Sequence, residues 1–324
     1  MKLAIETRRW DLREPFVTAV ERITQLESVM VTLSEAGFSG RGEALGVDYL
    51  GETPARMVEQ LEAVRAAVED GLDHAGLQRL LPPGGARNAL DCALWDLRAK
   101  EAGRRVWELL GLTAAPVNTL YTLGLAEAEA MGREAARRAE YPALKLKLDA
   151  RDIEARLQAV RAARPDATLV IDANGSWNEA VLTGVADILQ ICGVALLEQP
   201  LPRGEDAALA AIDCPIMLCA DESCQSAADL PAIRDRYGTV NIKLDKCGGL
   251  TEAMHMVATC RQLGLEVMVG CMLGSSLAMA PGFLVAQHAR FVDLDGPLWQ
   301  TSDHAAAIEY RGASMQAPGL QLWG

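Results

Sequence analysis

ALKLKLD (residues 143–149) opens a series of five short apolar segments that each end in charge. LVIDANGSW (169–177), VALLEQP (194–200), IMLCADES (216–223) and VNIKLDKCGG (240–249) complete it. The charges are the Lys145/Lys147 pair, Asp172, Glu198, Asp221 and Lys243. From Lys147 onward they stand 25, 26, 23 and 22 residues apart, the length of a strand, a loop, a helix and a return loop. A parallel (β/α) barrel gathers the C-terminal ends of its strands around one mouth, where such enzymes carry their chemistry. Three carboxylates and three lysines are therefore expected to converge on one site.

Working outward, the pattern from Val117 onward reads as strand followed by helix. Strands are predicted at about 117–121, 143–148, 168–172, 194–198, 216–220, 240–244, 266–270 and 291–294, with helices at 151–163, 178–190, 226–236 and 250–263. Eight strands alternating with helices favour a closed parallel barrel. An open doubly wound sheet is the alternative, but it would not need a charge at the end of five successive strands. The first hundred residues read differently, as a small α+β unit. Residues 2–7 and 28–35 are expected strands, and GFSGRGEALG (37–46) supplies tight turns before another short one. That glycine-rich stretch lacks the spacing of a nucleotide loop. Thr53-Pro54 opens a helix to about Asp70, and a second amphipathic helix spans about Ala86–Ala102. The tail, IEYRGASMQAPGLQLW, reads as short strand and turn.

Composition narrows the function classes. Thirty-one basic against 44 acidic residues give a net charge of −13, which argues against nucleic acid or an anionic membrane as partner. Half the residues are hydrophobic, as in a globular domain. MKLAIETRR has no apolar run of signal-peptide type, and the uncharged stretch 267–287 carries Gly270, Gly274, Pro281 and Gly282, so a cytoplasmic location is expected. The eight cysteines form no CxxC pair and read as reduced, packed thiols. Oligomeric state stays open, a homo-oligomer included.

Asp172, Glu198 and Asp221 are hard oxygen ligands that suit Mg²⁺ or Mn²⁺ better than zinc. A single strand-end acid commonly caps the next helix; three in succession are harder to explain that way. Asn174 and Gln199 stand beside them as hydrogen-bonding groups. Lys145 and Lys147 are two apart on one strand and share a face. In a barrel interior, burial and mutual repulsion are expected to lower a lysine toward the working range of a general base. Lys243, four strands further round, is expected to face them across the mouth. Two bases on either side of a metal suit removal of a proton from one face of a carbon and its return to the other.

Together LKLK, DANGSW, LLEQP, ADES and NIKLDKCGG, with ARNALDCALWDL (86–97), resemble the enolase superfamily, muconate-lactonizing subgroup, over essentially the whole chain. Within it, FVDLDGP (291–297) resembles the Asp-x-Asp signature of the dipeptide epimerases. The resemblance implies a (β/α)7β modified TIM barrel, within the α/β class, under an α+β capping domain. It divides the chain into a cap (1–115), a catalytic barrel (116–300) and a C-terminal segment (301–324) that packs back on the cap. It implies Mg²⁺ on Asp172, Glu198 and Asp221, Lys147 acting on the L epimer, Lys243 on the D epimer, and Lys145 stabilising the enolate, a mechanism class that general accounts of catalysis already describe. Asp293 and Asp295 would hold the free α-ammonium of a small dipeptide, with Arg22 and Met272 as further substrate contacts. Arginine is expected in the first mobile loop to pair with a glutamate side chain, and Arg22 lies one position out of register. The implied reaction is epimerization of L-Ala-D-Glu to L-Ala-L-Glu in murein peptide recycling. The alternatives are an o-succinylbenzoate synthase or N-succinylamino acid racemase and, in another class, a non-catalytic metal-binding barrel.

Overall fold

The computed structural model describes residues 1–324. Its N-terminal unit begins with an antiparallel meander, Lys2–Val17, Arg22–Glu35 and Phe38–Ala44. The first strand runs ten residues beyond the end expected at residue 7, because Arg9, Asp11 and Arg13 alternate as exposed residues with the buried Trp10 and Leu12. Charges alternating with apolar residues are what a one-sided antiparallel sheet allows. The turn region expected at 37–46 is mostly strand. Gly40 and Gly42 lie inside it, where an added Cβ would sit 2.2 Å from the Ala93 carbonyl oxygen and 2.1 Å from that of Ala89. They let the strand ride directly on the helix Gly85–Glu101. The helix expected over 53–70 starts at a Thr53 cap but breaks at Val64 into Pro54–Ala63 and Arg65–Glu69. Leu33, Val31, Leu61, Leu90 and Leu94 belong to the core between sheet and helices.

Eight parallel strands follow: Tyr121–Leu123, Ala143–Lys147, Thr168–Asp172, Val194–Glu198, Leu218–Ala220, Thr239–Lys243, Glu266–Gly270 and Phe291–Val292, each paired with its sequence neighbour. The Leu120 N–H donates to the Val292 carbonyl at 2.7 Å, joining the last strand to the first. The segment expected as one strand at 117–121 divides. Val117–Asn118 pairs instead with Ser314–Met315 of the tail, and the barrel strand starts at Tyr121. The helix expected over 226–236 shrinks to Leu230–Ile233 behind a single 3-10 turn. No helix is long and apolar enough to cross a membrane.

Inside the barrel the strands stack two layers. Val170, Leu196, Cys219, Met268 and Phe291 form a small apolar cluster with Leu120. Two residues further along, on the same faces, come Asp172, Glu198, Asp221, Gly270 and Asp293. The strand period thus converts an apolar floor into a charged mouth. All eight cysteines are free.

The cap is fixed over that mouth by buried polar links. Asp245 Oδ1 accepts the N–H groups of Leu45 (2.8 Å) and Gly46 (2.9 Å), and Arg87 donates to the carbonyls of Cys247 (2.6 Å) and Gly248 (3.1 Å). A Cβ on Gly248 would meet the Arg87 guanidinium at 2.3 Å, and one on Gly249 would meet Asp91 at 2.6 Å, which accounts for the paired glycines of KCGG. The tail closes on the same helix. Trp323 Nε1 donates to the Cys92 carbonyl at 3.0 Å, and the Gly324 N–H to Asp96 at 2.6 Å.

Candidate active site

The strand ends bring every one of the five charged segments to one place. Asp172, Glu198 and Asp221 are fully buried and present carboxylate oxygens within 4.8 Å of one another. Lys145 Nζ lies 2.7 Å from Asp293 Oδ2, 2.8 Å from Glu198 Oε2 and 3.1 Å from Asp172 Oδ2. Lys147 Nζ lies 2.6 Å from Asp172 Oδ2 and 3.2 Å from Asn174 Oδ1. Four strands further round, Lys243 Nζ donates to Asp221 Oδ2 at 2.6 Å. The two sides mirror each other, a lysine against a carboxylate on the next strand or the one before.

Asn174 and Gln199 follow the strand ends in left-handed backbone conformations, with φ of 45° and 37°. Such positions cost a non-glycine residue energy and persist where side chains repay it. The Asn174 N–H donates to Asp172 Oδ1 at 2.9 Å. Gln199 Oε1 accepts from the N–H groups of Asp221 (3.0 Å) and Ser223 (3.1 Å), fixing the loop that carries Asp221.

The expected lowering does not occur at Lys145. Burial does act to lower Lys145 and Lys243, yet Asp293 and Glu198 around the first, and Asp221 and Glu198 around the second, outweigh it and raise both. Like charges are fewer here than opposite ones. Burial likewise raises Asp172 and Asp221, but Lys147 and Lys145 beside the former, and Lys243 and Lys246 beside the latter, bring both below the usual range. Glu198 is the exception. Burial, then the neighbouring Asp172, push it up to about 8 against the pull of Lys145. Its Oε2 has no well-aligned donor although Lys145 is close. Lys145 stays an ammonium but is shared by three carboxylates, so Glu198 has no cation to itself. An all-oxygen set with one carboxylate oxygen lacking a well-aligned donor fits a hard divalent ion.

A cavity of about 650 Å³ covers the mouth, within the range of small-molecule sites. Lys145, Lys147, Lys243, Asp293, Asp295 and Met272 line it from the barrel, and Arg22 from the cap. Asp293 is occupied by Lys145. Asp295 Oδ2 accepts from the Thr122 N–H (2.8 Å) and Trp299 Nε1 (3.3 Å); burial and then Asp293 raise it to about 6. Arg22 is exposed at the first position of the second cap strand, just after the loop that follows the first, and it alone among these cations forms no ion pair.

Sequence reasoning passed over three groups. Asn241 Nδ2 donates to Glu198 Oε1 at 2.7 Å; its signal was present, two residues before Lys243 on the same strand face. Lys246 Nζ donates to Asp221 Oδ1 at 2.6 Å, and lay within NIKLDKCGG. Thr122 gave no signal, since its partners Asp293 and Asp295 are about 170 residues away.

Residues 1–111 match the mandelate racemase/muconate lactonizing enzyme N-terminal domain, and residues 127–320 the enolase C-terminal domain-like family. The chain is 41% identical to the L-Ala-D/L-Glu epimerase of Escherichia coli K12 over 93% of its length and 95% of the relative's. It is 40% identical to an N-acetyl-D-glutamate racemase of a Pseudoalteromonas species, over 91% of this chain and 95% of that one. An Agrobacterium tumefaciens enolase family member with homology to dipeptide epimerases superposes with a TM-score of 0.97 at 44% identity, covering 99% of both chains. That structure holds sodium and L-Ala-L-Glu with an ordered loop.

Proposed function

Since the chain belongs to the mandelate racemase/muconate lactonizing branch of the enolase superfamily, we propose that it is a Mg²⁺-dependent dipeptide epimerase that inverts the C-terminal residue by 1,1-proton transfer, with L-Ala-D/L-Glu as substrate. The observation that carries this is the placement of Lys147 and Lys243 on strands four apart, each 2.6 Å from a different carboxylate of one buried triad. Asp172, Glu198 and Asp221 would hold the metal. When bound there, Mg²⁺ supplies Lewis-acid stabilisation of the substrate carboxylate as negative charge develops.

The residues of the chain divide the remaining work. Lys147 takes the α-proton from the L epimer while Lys243 delivers one to the opposite face, and the roles reverse for the D epimer. Lys145, between Asp172, Glu198 and Asp293, adds a fixed positive charge beside the reacting carboxylate. Glu198 and Asp172, which with Asp293 raise Lys145, and Asp221 and Glu198, which raise Lys243, are carboxylates a divalent cation would neutralise. Asp295, held by Thr122 and Trp299, takes the free α-ammonium with Asp293. Met272 borders the same cavity, and Arg22 pairs with the glutamate side chain. The cap over residues 1–115, joined by the tail 301–324, excludes water above a barrel spanning 116–300. L-Ala-D-Glu is a fragment of murein peptides, so the role we assign is their recycling in the cytoplasm.

An N-acylamino acid racemase is the second reading, favoured by the 40% identity to the N-acetyl-D-glutamate racemase. It would leave Asp295 without a cation. A library of dipeptides and N-acylated amino acids in D₂O with Mg²⁺ separates the two. Deuterium should enter the C-terminal residue of L-Ala-L-Glu, and chelation should abolish it. Labelling confined to N-acyl substrates, or undiminished after chelation, would overturn the proposal.

A further inference from the structure

The three carboxylates share a feature that metal binding alone does not require. Each has one oxygen held by a donor from the surrounding framework and the other turned to the centre of the mouth. Asp172 Oδ1 accepts the Asn174 N–H at 2.9 Å, Glu198 Oε1 the Asn241 amide at 2.7 Å, and Asp221 Oδ1 the Lys246 ammonium at 2.6 Å. The inner oxygens, Asp172 Oδ2, Glu198 Oε2 and Asp221 Oδ2, are those that Lys145, Lys147 and Lys243 approach.

Lys246 is the least expected member. It is 2% exposed, lies one turn past Lys243 on the helix Leu244–Cys247, and does not line the cavity. Its only ion pair is with Asp221, whose carbonyl oxygen it also reaches. A substrate role is closed to it. Asp221 cannot turn its outer oxygen inward without leaving a buried ammonium with no carboxylate partner and only a carbonyl acceptor.

Calcium takes more oxygens at longer distances and often a carboxylate through both, whereas Mg²⁺ demands compact octahedral ligation. We propose that Lys246, with Asn241 and the Asn174 amide, restricts each carboxylate to one ligand oxygen and so selects Mg²⁺ against Ca²⁺. The inference rests on the reading of Asp172, Glu198 and Asp221 as the metal ligands. Lys246 is a positioning residue in this scheme, acting through Asp221.

Calorimetric titration of the purified protein with MgCl₂ and with CaCl₂ tests it through the ratio of the two dissociation constants. The charge lost in Lys246→Met changes affinity for both ions, and the ratio cancels that common part. Discrimination against Ca²⁺ should fall about tenfold in Lys246→Met, and similarly in Asn241→Leu, which frees Glu198 Oε1 instead. If circular dichroism shows Lys246→Met unfolded, the Asn241→Leu ratio decides. A ratio within about twofold of wild type in the folded variants overturns the inference. Failure of the wild-type protein to bind either ion would instead remove the ligand assignment on which it stands.

Discussion

The barrel mouth and the cap face the same cavity but are built differently. On the barrel side every charged group at the strand ends has a partner, and removal of one leaves another buried charge uncompensated. Lys145 alone contacts three carboxylates. On the cap side, Val20 is 71% exposed, Arg22 has no partner, and the loop is held by Thr18, whose Oγ1 accepts the N–H groups of Val20 and Glu21. Rigid strands hold reacting groups to tighter tolerances than loops do, and loops tolerate change. The difference assigns chemistry to the barrel and substrate choice to the cap. Barrel substitutions should therefore act on kcat, and cap substitutions on KM.

The sharpest way to break that division is the lysine pair. Lys147→Ala and Lys243→Ala should each abolish net epimerization, a loss of about a thousandfold or more, since each direction needs one lysine as base and the other as acid. The survivor can still exchange a proton on its own side. Lys243→Ala should retain solvent-deuterium exchange into the L epimer with configuration kept, and Lys147→Ala into the D epimer. Chiral chromatography with mass spectrometry reads both. Interconversion of the epimers by Lys243→Ala at near wild-type rate would sink the scheme.

These residues were legible because charge interrupts apolar runs. The barrel strands Thr168–Asp172, Val194–Glu198 and Glu266–Gly270 coincide with their expected limits, since parallel strands buried on both faces read as continuous apolar segments. The first cap strand was legible only in part, because its open face fills with arginines and acids. Val117–Asn118 was misassigned because its partner is the tail, nearly 200 residues away, and no local pattern reports such pairing. The charge balance of the site was illegible for a related reason. Lys145 and Lys147 suggest repulsion along the strand, whereas the carboxylates that outweigh burial at Lys145 come from other strands.

Asp295 sharpens the comparison at intermediate size, because it is a barrel residue proposed to bind rather than react. Asp295→Asn should raise KM for L-Ala-L-Glu by about 10–100-fold, or roughly 1.4–2.7 kcal/mol, with a smaller change in kcat. Its pH behaviour carries a sign. Burial and Asp293 raise the carboxyl to about 6, so it is protonated below that pH and anionic above it. Affinity for a free amino terminus should therefore be present above pH 6 and weaken as pH falls through it. In Asp295→Asn that dependence of KM should disappear. A pH profile of KM unchanged by the substitution would show that the ammonium is held elsewhere.

Arg22 should give the smallest effect and the most selective one. It lies exposed at the start of the second cap strand, so an ion pair made there is partly solvated and weaker than any within the mouth. Arg22→Ala should raise KM for L-Ala-L-Glu about tenfold, equivalent to about 1.4 kcal/mol, and leave kcat within about twofold. L-Ala-L-Ala has no side-chain carboxylate to lose, so its kcat/KM should stay near the wild-type value. The preference between the two dipeptides then narrows by the same factor. Salt supplies an internal check, because raising ionic strength screens exposed charges and should reduce the wild-type preference toward that of the variant. Equal losses on both dipeptides would mean that Arg22 supports the loop rather than the side chain. No loss on either would move the choice of the second residue from the cap to the barrel, and the contrast between the two regions would then fail.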